Sequence, residues 1–216
     1  MNKSGSKSML RKISRERLDA CLLRLLEGLM HRAYGTKKKD LFRHLPARIV
    51  EIGPGTGANL RYYPPGASII AVEPNRAMHP HLQARAGQTG IEIEIKPMGG
   101  ERLDLPANSV DAVVGTFVLC TVDNPLEVLT NVHRILRPSG RYLFLEHVAA
   151  PDGSCLNHLQ NLLNNPWKRI FQGCNLTRDT SSTLRKAGFS SLQMDCFVLK
   201  PAMAPIAPHI FGLAIK

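Results

Sequence analysis

The run Val50-Glu51-Ile52-Gly53-Pro54-Gly55-Thr56-Gly57-Ala58-Asn59-Leu60 constrains this chain more than any other. An apolar, strand-type segment meets three glycines at alternate positions, and a helix-type pattern follows. A strand, a tight turn and a helix start in that order mark the point where an open α/β sheet binds a nucleotide-like ligand. Glycine is required there because a Cβ blocks the turn and keeps the ligand from the backbone.

Pattern along the rest of the chain agrees with an α/β sheet. Strand-type runs fall near 48–53, 68–73, 91–96, 111–116 and 141–148, with helix-type runs near 57–63, 75–86 and 124–136. Regular alternation of this kind builds a mostly parallel sheet covered on both faces. Beyond Ala150 two helices (156–171 and 178–187) and two final strands (192–199 and 210–215) are expected. At 216 residues the chain suits a single core-bearing unit over 47–216, preceded by a basic tail and helical cap over 1–46.

The net charge of +11 is concentrated at the front, where residues 1–48 carry thirteen Lys/Arg against four Asp/Glu. Residues 1–8 read as disordered. Leu18, Cys21, Leu22, Leu25, Leu26 and Leu29 then recur at helical spacing, and a short second helix is expected from Thr36 to His44. The first helix is basic and amphipathic. It either caps the site or makes peripheral contact with a membrane surface, and capping is the preferred reading. The remainder is near neutral and has no nucleic-acid motif, which argues against a nucleic-acid partner. No apolar signal segment is seen, so a cytoplasmic location is expected. Five widely spaced cysteines without a C-x-x-C pair argue against a disulfide framework and against a metal site.

Glycine spacing alone permits a dinucleotide. Glu51, two residues before Gly53, points elsewhere: a carboxylate there suits a cationic amino group and repels a pyrophosphate. S-adenosyl-L-methionine carries such an ammonium. Glu73, ending the second strand before Pro74 and Asn75, can accept both ribose hydroxyls. Gly99-Gly100-Glu101 and Thr116-Phe117-Val118-Leu119-Cys120 follow the third and fourth strands, where the adenine edge and the methionine end would lie. Leu136-Arg137-Pro138-Ser139-Gly140 reads as a helix-closing turn before the fifth strand.

These motifs resemble those of class I S-adenosylmethionine-dependent methyltransferases, whose turn after that helix reads L-[RK]-P-G-G. Lys38-Lys39-Asp40-Leu41-Phe42, Glu146-His147-Val148-Ala149-Ala150 and Gly173-Cys174-Asn175-Leu176-Thr177-Arg178 resemble, more narrowly, the methyltransferase-like small-molecule thiol S-methyltransferases. Members of that group begin with a hydrophobic anchoring segment, whereas this chain begins with a basic helix. The resemblance implies a Rossmann-like seven-stranded sheet in the order 3-2-1-4-5-7-6, last strand antiparallel, with helices on both faces. It implies cofactor contacts from Glu51, Gly53, Pro54, Gly55, Gly57, Asn59, Glu73, Pro74, Asn75, Met78, Gly100, Glu101, Arg102, Thr116, Phe117, Val118 and Cys120. His147, at the carboxyl end of the fifth strand, is the first candidate for a base, with Asn175 and Arg178 as further catalytic candidates. The expected reaction is direct in-line methyl transfer to a small-molecule acceptor, preferably a thiol. O-, N- or C-methylation is the main alternative, and a non-catalytic cofactor-binding regulator a lesser one.

Overall fold

Seven strands of this chain form one sheet in the order β3-β2-β1-β4-β5-β7-β6. The computed structural model describes residues 3–199 and 201–216; Met1, Asn2 and Lys200 lie outside the described residues. The strands are β1 (Arg48–Ile52), β2 (Ser68–Val72), β3 (Glu92–Lys96), β4 (Val110–Thr116), β5 (Leu136–His147), β6 (Ser191–Val198) and β7 (Pro208–Ile215). β1 to β5 pair in parallel, and β7 pairs antiparallel with both β5 and β6. The expected strand order and the antiparallel final strand are both seen.

Burial follows from position. The central strands are apolar on both faces because helices cover both. On one face Val128, Leu129, Val132 and Ile135 of α3 (Pro125–Ile135) and Leu184 of α5 (Thr180–Lys186) pack on β1 and β4. On the other, Phe42 of α1 (Lys3–Phe42) and Leu82 and Ala86 of α2 (His79–Thr89) do so. The edge strand β3 carries Glu92, Glu94 and Lys96, charges that discourage pairing with another chain.

Helix starts are set by local chemistry. Asn124, Ser154 and Asp179 each accept the backbone N–H three residues on, at α3, α4 (Cys155–Ile170) and α5 respectively.

Three expectations need correction. The front of the chain is one helix from Lys3 to Phe42, not a disordered tail and two helices. Gly35 costs helix propensity but lies against the His31 ring and the Tyr62 hydroxyl, so packing carries the helix through it. The leucine stripe divides: Leu22, Leu26 and the half-exposed Leu29 line a cavity, while Leu18 and Leu25 are 68% and 76% exposed.

The helix expected over 57–63 is a turn and a single 3-10 turn at Leu60–Tyr62. Gly57 is left-handed (φ 83°), and Pro64 holds Tyr63 extended, so a helix cannot propagate. The segment Leu136–Gly140 lies in β5 and not in a helix-closing turn. There the register slips between Val110 and Ala112, and Ser139 is left-handed (φ 64°). No helix among the described residues is long and apolar enough to cross a membrane.

Two glycine substitutions should act in opposite directions. A Cβ on Gly212 of β7 would lie 2.0 Å from the Gln193 carbonyl oxygen of β6. Gly212→Ala is expected to destabilise by ~1–3 kcal/mol through overpacking. Gly87 in α2 has open space around it, so Gly87→Ala should stabilise by ~0.5–1 kcal/mol. Chemical denaturation of both variants measures the two shifts.

Candidate active site

At the carboxyl ends of β1, β2, β4 and β5 lies a cavity of about 1160 Å³. Small-molecule sites commonly hold ~300–1,000 Å³, so this one has room for two ligands. Its floor is sheet and its cover is α1, through Leu22, Leu23, Leu26 and Met30.

Glu27 clamps that cover down. Its carboxylate takes Arg85 of α2 in a bidentate pair, both contacts at 2.6 Å, and Arg61 at 2.6 Å. Further along α1, the buried Tyr34 hydroxyl lies 2.9 Å from His209 Nε2. His209 Nδ1 donates to the Ala207 carbonyl at 3.0 Å, so Nε2 is the acceptor for Tyr34. Burial holds the His209 imidazole neutral, its pKa pushed down to about 4.

The glycine turn is built as the spacing requires. Gly53 and Gly55 have φ of 64° and 56°, and a Cβ on Gly53 would lie 2.6 Å from Val118. Glu73 locks the turn: its two oxygens accept the N–H groups of Gly55 (2.9 Å) and Asn75 (2.8 Å). A carboxylate has about four lone-pair sites, so two remain for a ligand. Burial raises the Glu73 pKa, opposed by those two amides.

Behind the turn, Glu51 is fully buried. Its Oε1 accepts from the Asn59 amide at 2.7 Å, whose oxygen accepts from Lys38 Nζ at 2.7 Å. Its Oε2 makes no hydrogen bond of normal geometry, with the buried Tyr63 hydroxyl as its neighbouring donor. Burial pushes the Glu51 carboxyl up to about 7 and the Lys38 ammonium down to about 8. An under-satisfied acidic oxygen beside a glycine cradle is what a cationic ligand end would satisfy.

Glu146 builds the opposite wall. Its Oε1 accepts from the N–H groups of Val118 (2.8 Å) and Leu119 (3.0 Å), and Oε2 from Cys120 (3.3 Å). The loop after β4 is thereby held against β5, with Phe117 left-handed at φ 58°. Burial pushes the Glu146 carboxyl up to about 7 even so.

Beside it, His147 Nε2 lies 2.9 Å from Cys174 Sγ, and Cys174 Sγ lies 3.9 Å from Cys120 Sγ. Trp167 Nε1–H donates to Cys174 Sγ at 3.3 Å. The Cys174 thiol is held well below its ordinary value, first by the Cys120 thiol hydrogen-bonding to it and then by His147.

Of the residues singled out by sequence, the cavity gathers Gly53, Pro54, Gly55, Asn59, Glu73, Pro74, Met78, Gly100, Glu101, Arg102, Thr116, Phe117, Val118, Cys120 and His147. Glu51, Gly57 and Asn75 stand behind its wall and shape it. Asn175 and Arg178 are not on the wall either. Asn175 Oδ1 accepts from the Thr177 backbone and hydroxyl, and Arg178 donates to the Leu119 and Val122 carbonyls. Through these atoms both brace the loop.

Lys38 and Cys174 were missed as site residues, whereas the cover leucines belong to the helix expected to cap the site. Cys174 sits in a segment with no spacing signal toward Cys120. Lys38 lies in the run that resembles the thiol methyltransferases, which is the one signal that could have found it.

Residues 50–144 match the family model described as a methyltransferase domain. The rat thiol S-methyltransferase TMT1B is 35% identical over 206 residues, covering 90% of this chain and 84% of its own. Human thiol S-methyltransferase TMT1A is 36% identical over 192 residues, covering 84% and 79%. Among solved structures, a SAM-dependent methyltransferase from Thermotoga maritima superposes with a TM-score of 0.67 at 20% identity, covering 94% of this chain and 99% of that one. Geranyl diphosphate methyltransferase in complex with SAM gives 0.66 at 15% identity, with 86% of each chain covered. These two share the fold. This chain belongs to the S-adenosylmethionine-dependent methyltransferases, in the family that includes thiol S-methyltransferases TMT1A and TMT1B.

Proposed function

We propose that the protein transfers the methyl group of S-adenosyl-L-methionine to a small-molecule thiol, leaving S-adenosyl-L-homocysteine. The observation that carries this reading is the meeting, in one cavity, of a glycine cradle and a buried cluster of His147, Cys120 and Cys174. The thiol specificity named in TMT1A and TMT1B supports the choice of acceptor.

The residues present fit the cofactor. Glu51, with its under-satisfied buried oxygen, would receive the ammonium end, Glu73 the ribose hydroxyls, and Gly100 to Arg102 the adenine side. When bound, the cofactor supplies an electrophilic methyl on a sulfonium.

The chain's own task is alignment and exclusion of water. The loop Thr116–Cys120, pinned by Glu146, forms the rigid wall between donor and acceptor. Leu22, Leu26 and Met30 form an apolar cover above it. A thiol reacts as its thiolate, so its proton must be removed. His147, on the cavity wall at the end of β5, would take that proton once its Nε2 turns from Cys174.

Glu73→Ala should weaken S-adenosylhomocysteine binding by ~1–3 kcal/mol, the loss of a charged hydrogen bond. Gly53→Ala and Gly55→Ala should both weaken it, because both glycines are left-handed and line the cavity, and a Cβ on Gly53 also collides with Val118. Isothermal calorimetry measures all three. Unchanged affinity in Glu73→Ala would misplace the site.

Binding should also depend on pH. Burial raises the folded Glu51 pKa to about 7, so below that pH the carboxyl is protonated and a cationic ligand must drive off the proton. Affinity should therefore rise with pH up to about 7, by at most about tenfold per unit, and level off above. In Glu51→Gln the affinity should be weaker and flat across the same range. Methylation of a thiol panel with labelled cofactor tests the acceptor, and activity on phenols or amines with thiols inert would defeat the thiol assignment.

A further inference from the structure

Three side chains far apart in sequence converge at the floor of the cavity: Cys120 after β4, His147 at the end of β5 and Cys174 after α4. One ligand-type atom from each lies within 4.8 Å of the other two. All three are buried, at 1%, 2% and 8% exposure, yet all line the cavity. We propose that they form a binding site for a thiophilic divalent cation, zinc by its chemistry, with an open fourth position that takes the acceptor as thiolate. The acceptor half of this inference rests on the thiol reading above.

The sulfur pair is spaced as such a cation needs, while His147 Nε2, 2.9 Å from Cys174 Sγ, would have to draw back to the N–S edge of about 3.5 Å. Zinc–sulfur bonds of about 2.3 Å at the tetrahedral angle place two sulfurs about 3.8 Å apart. Cys120 and Cys174 have their sulfurs 3.9 Å apart. That is too far for a disulfide, at about 2.05 Å, and close to the edge of a zinc tetrahedron. His147 directs Nε2 at Cys174, the nitrogen that would bind the cation.

An indole N–H can only donate, so the Trp167 contact marks Cys174 Sγ as an acceptor. A donor of that kind orients and stabilises a metal-bound thiolate from the outer shell. Two cysteines and one histidine with a fourth position open to a cavity is a ligand set of catalytic zinc sites.

The step balances without a redox partner. A thiol entering the open position forms a metal–sulfur bond, and its S–H proton leaves to solvent. The cation keeps its charge, and the thiolate lone pair remains to attack the methyl carbon. His147 then serves as a ligand, and the cation lowers the thiol pKa.

The test titrates cobalt(II), a coloured stand-in for zinc, into the full-length reduced chain after removal of bound metal. One cobalt per chain with sulfur-to-cobalt charge-transfer absorption, displaced by zinc, is the expected result. Cys174→Ala should lose that absorption and still bind S-adenosylhomocysteine, since Cys174 is not among the cofactor contacts. Trp167→Phe should weaken metal binding by ~10–100-fold.

Absence of stoichiometric binding, absorption that survives in Cys174→Ala, or a Cys120–Cys174 disulfide in the protein as isolated overturns the metal site. Adding 2-mercaptoethanol should shift the cobalt spectrum, and an unmoved spectrum overturns the acceptor role. S-adenosylhomocysteine binding without metal binding defeats this inference alone. Failure to bind S-adenosylhomocysteine defeats the methyltransferase reading itself.

Discussion

One buried carboxylate organises the reactive half of this molecule. Glu146 stands fully buried at the end of β5 and accepts three consecutive backbone N–H groups from Val118, Leu119 and Cys120. Hydrogen bonds to an ionised group stabilise by ~1.5–3 kcal/mol each, and a buried acid left without them would be costly. The loop after β4 therefore has one low-energy shape. That shape sets Cys120 opposite His147, the residue next to Glu146, and lets the Cys120 carbonyl accept from the Asn175 N–H. The segment carrying Cys174 is fixed in turn. Two loops and a strand end owe their mutual placement to one side chain.

The same logic, weaker in each bond, governs the other half. Glu73 ties the glycine turn to the end of β2, and the chain Lys38–Asn59–Glu51 ties it to α1. Here the polar groups are only partly satisfied. One oxygen of Glu51 lacks a hydrogen bond of normal geometry, and burial has pushed its acidity close to neutral. The incomplete pairing is itself a sign of function: a scaffold would have closed it, whereas a binding site keeps one valence for its ligand.

Much of this was legible in the residues. The strand–glycine–helix signal, the βα alternation and the acid ending β2 are local patterns, and local patterns survive in a linear text. The strand order came from resemblance, because register between distant strands leaves no local mark. What failed has a physical cause in each case. Gly35 and the leucine spacing suggested a break that tertiary packing overrides. Gly57, in its left-handed turn, stops a helix that composition alone would allow. Asn175 and Arg178 are a separate case: the structure sets them off the cavity wall, bonded to backbone carbonyls, a neighbouring backbone N–H and a threonine hydroxyl. Glu146 and the sulfur cluster were hidden for another reason. Their partners are 26–28 residues away for Glu146 and up to 54 for the cysteines, and no periodicity spans that distance.

The division of labour between sheet and helix has an evolutionary reading. Glu51, Glu73, Cys120, His147 and Cys174 hang from strands, strand ends and loops, while the apolar ceiling is made by a few turns of α1. Exchanging Leu22, Leu26 or Met30 for bulkier or smaller neighbours would resize the guest compartment and leave the chemistry below untouched. A lineage built this way can explore new acceptors by editing a single short stretch of chain, with little risk to the fold that does the work.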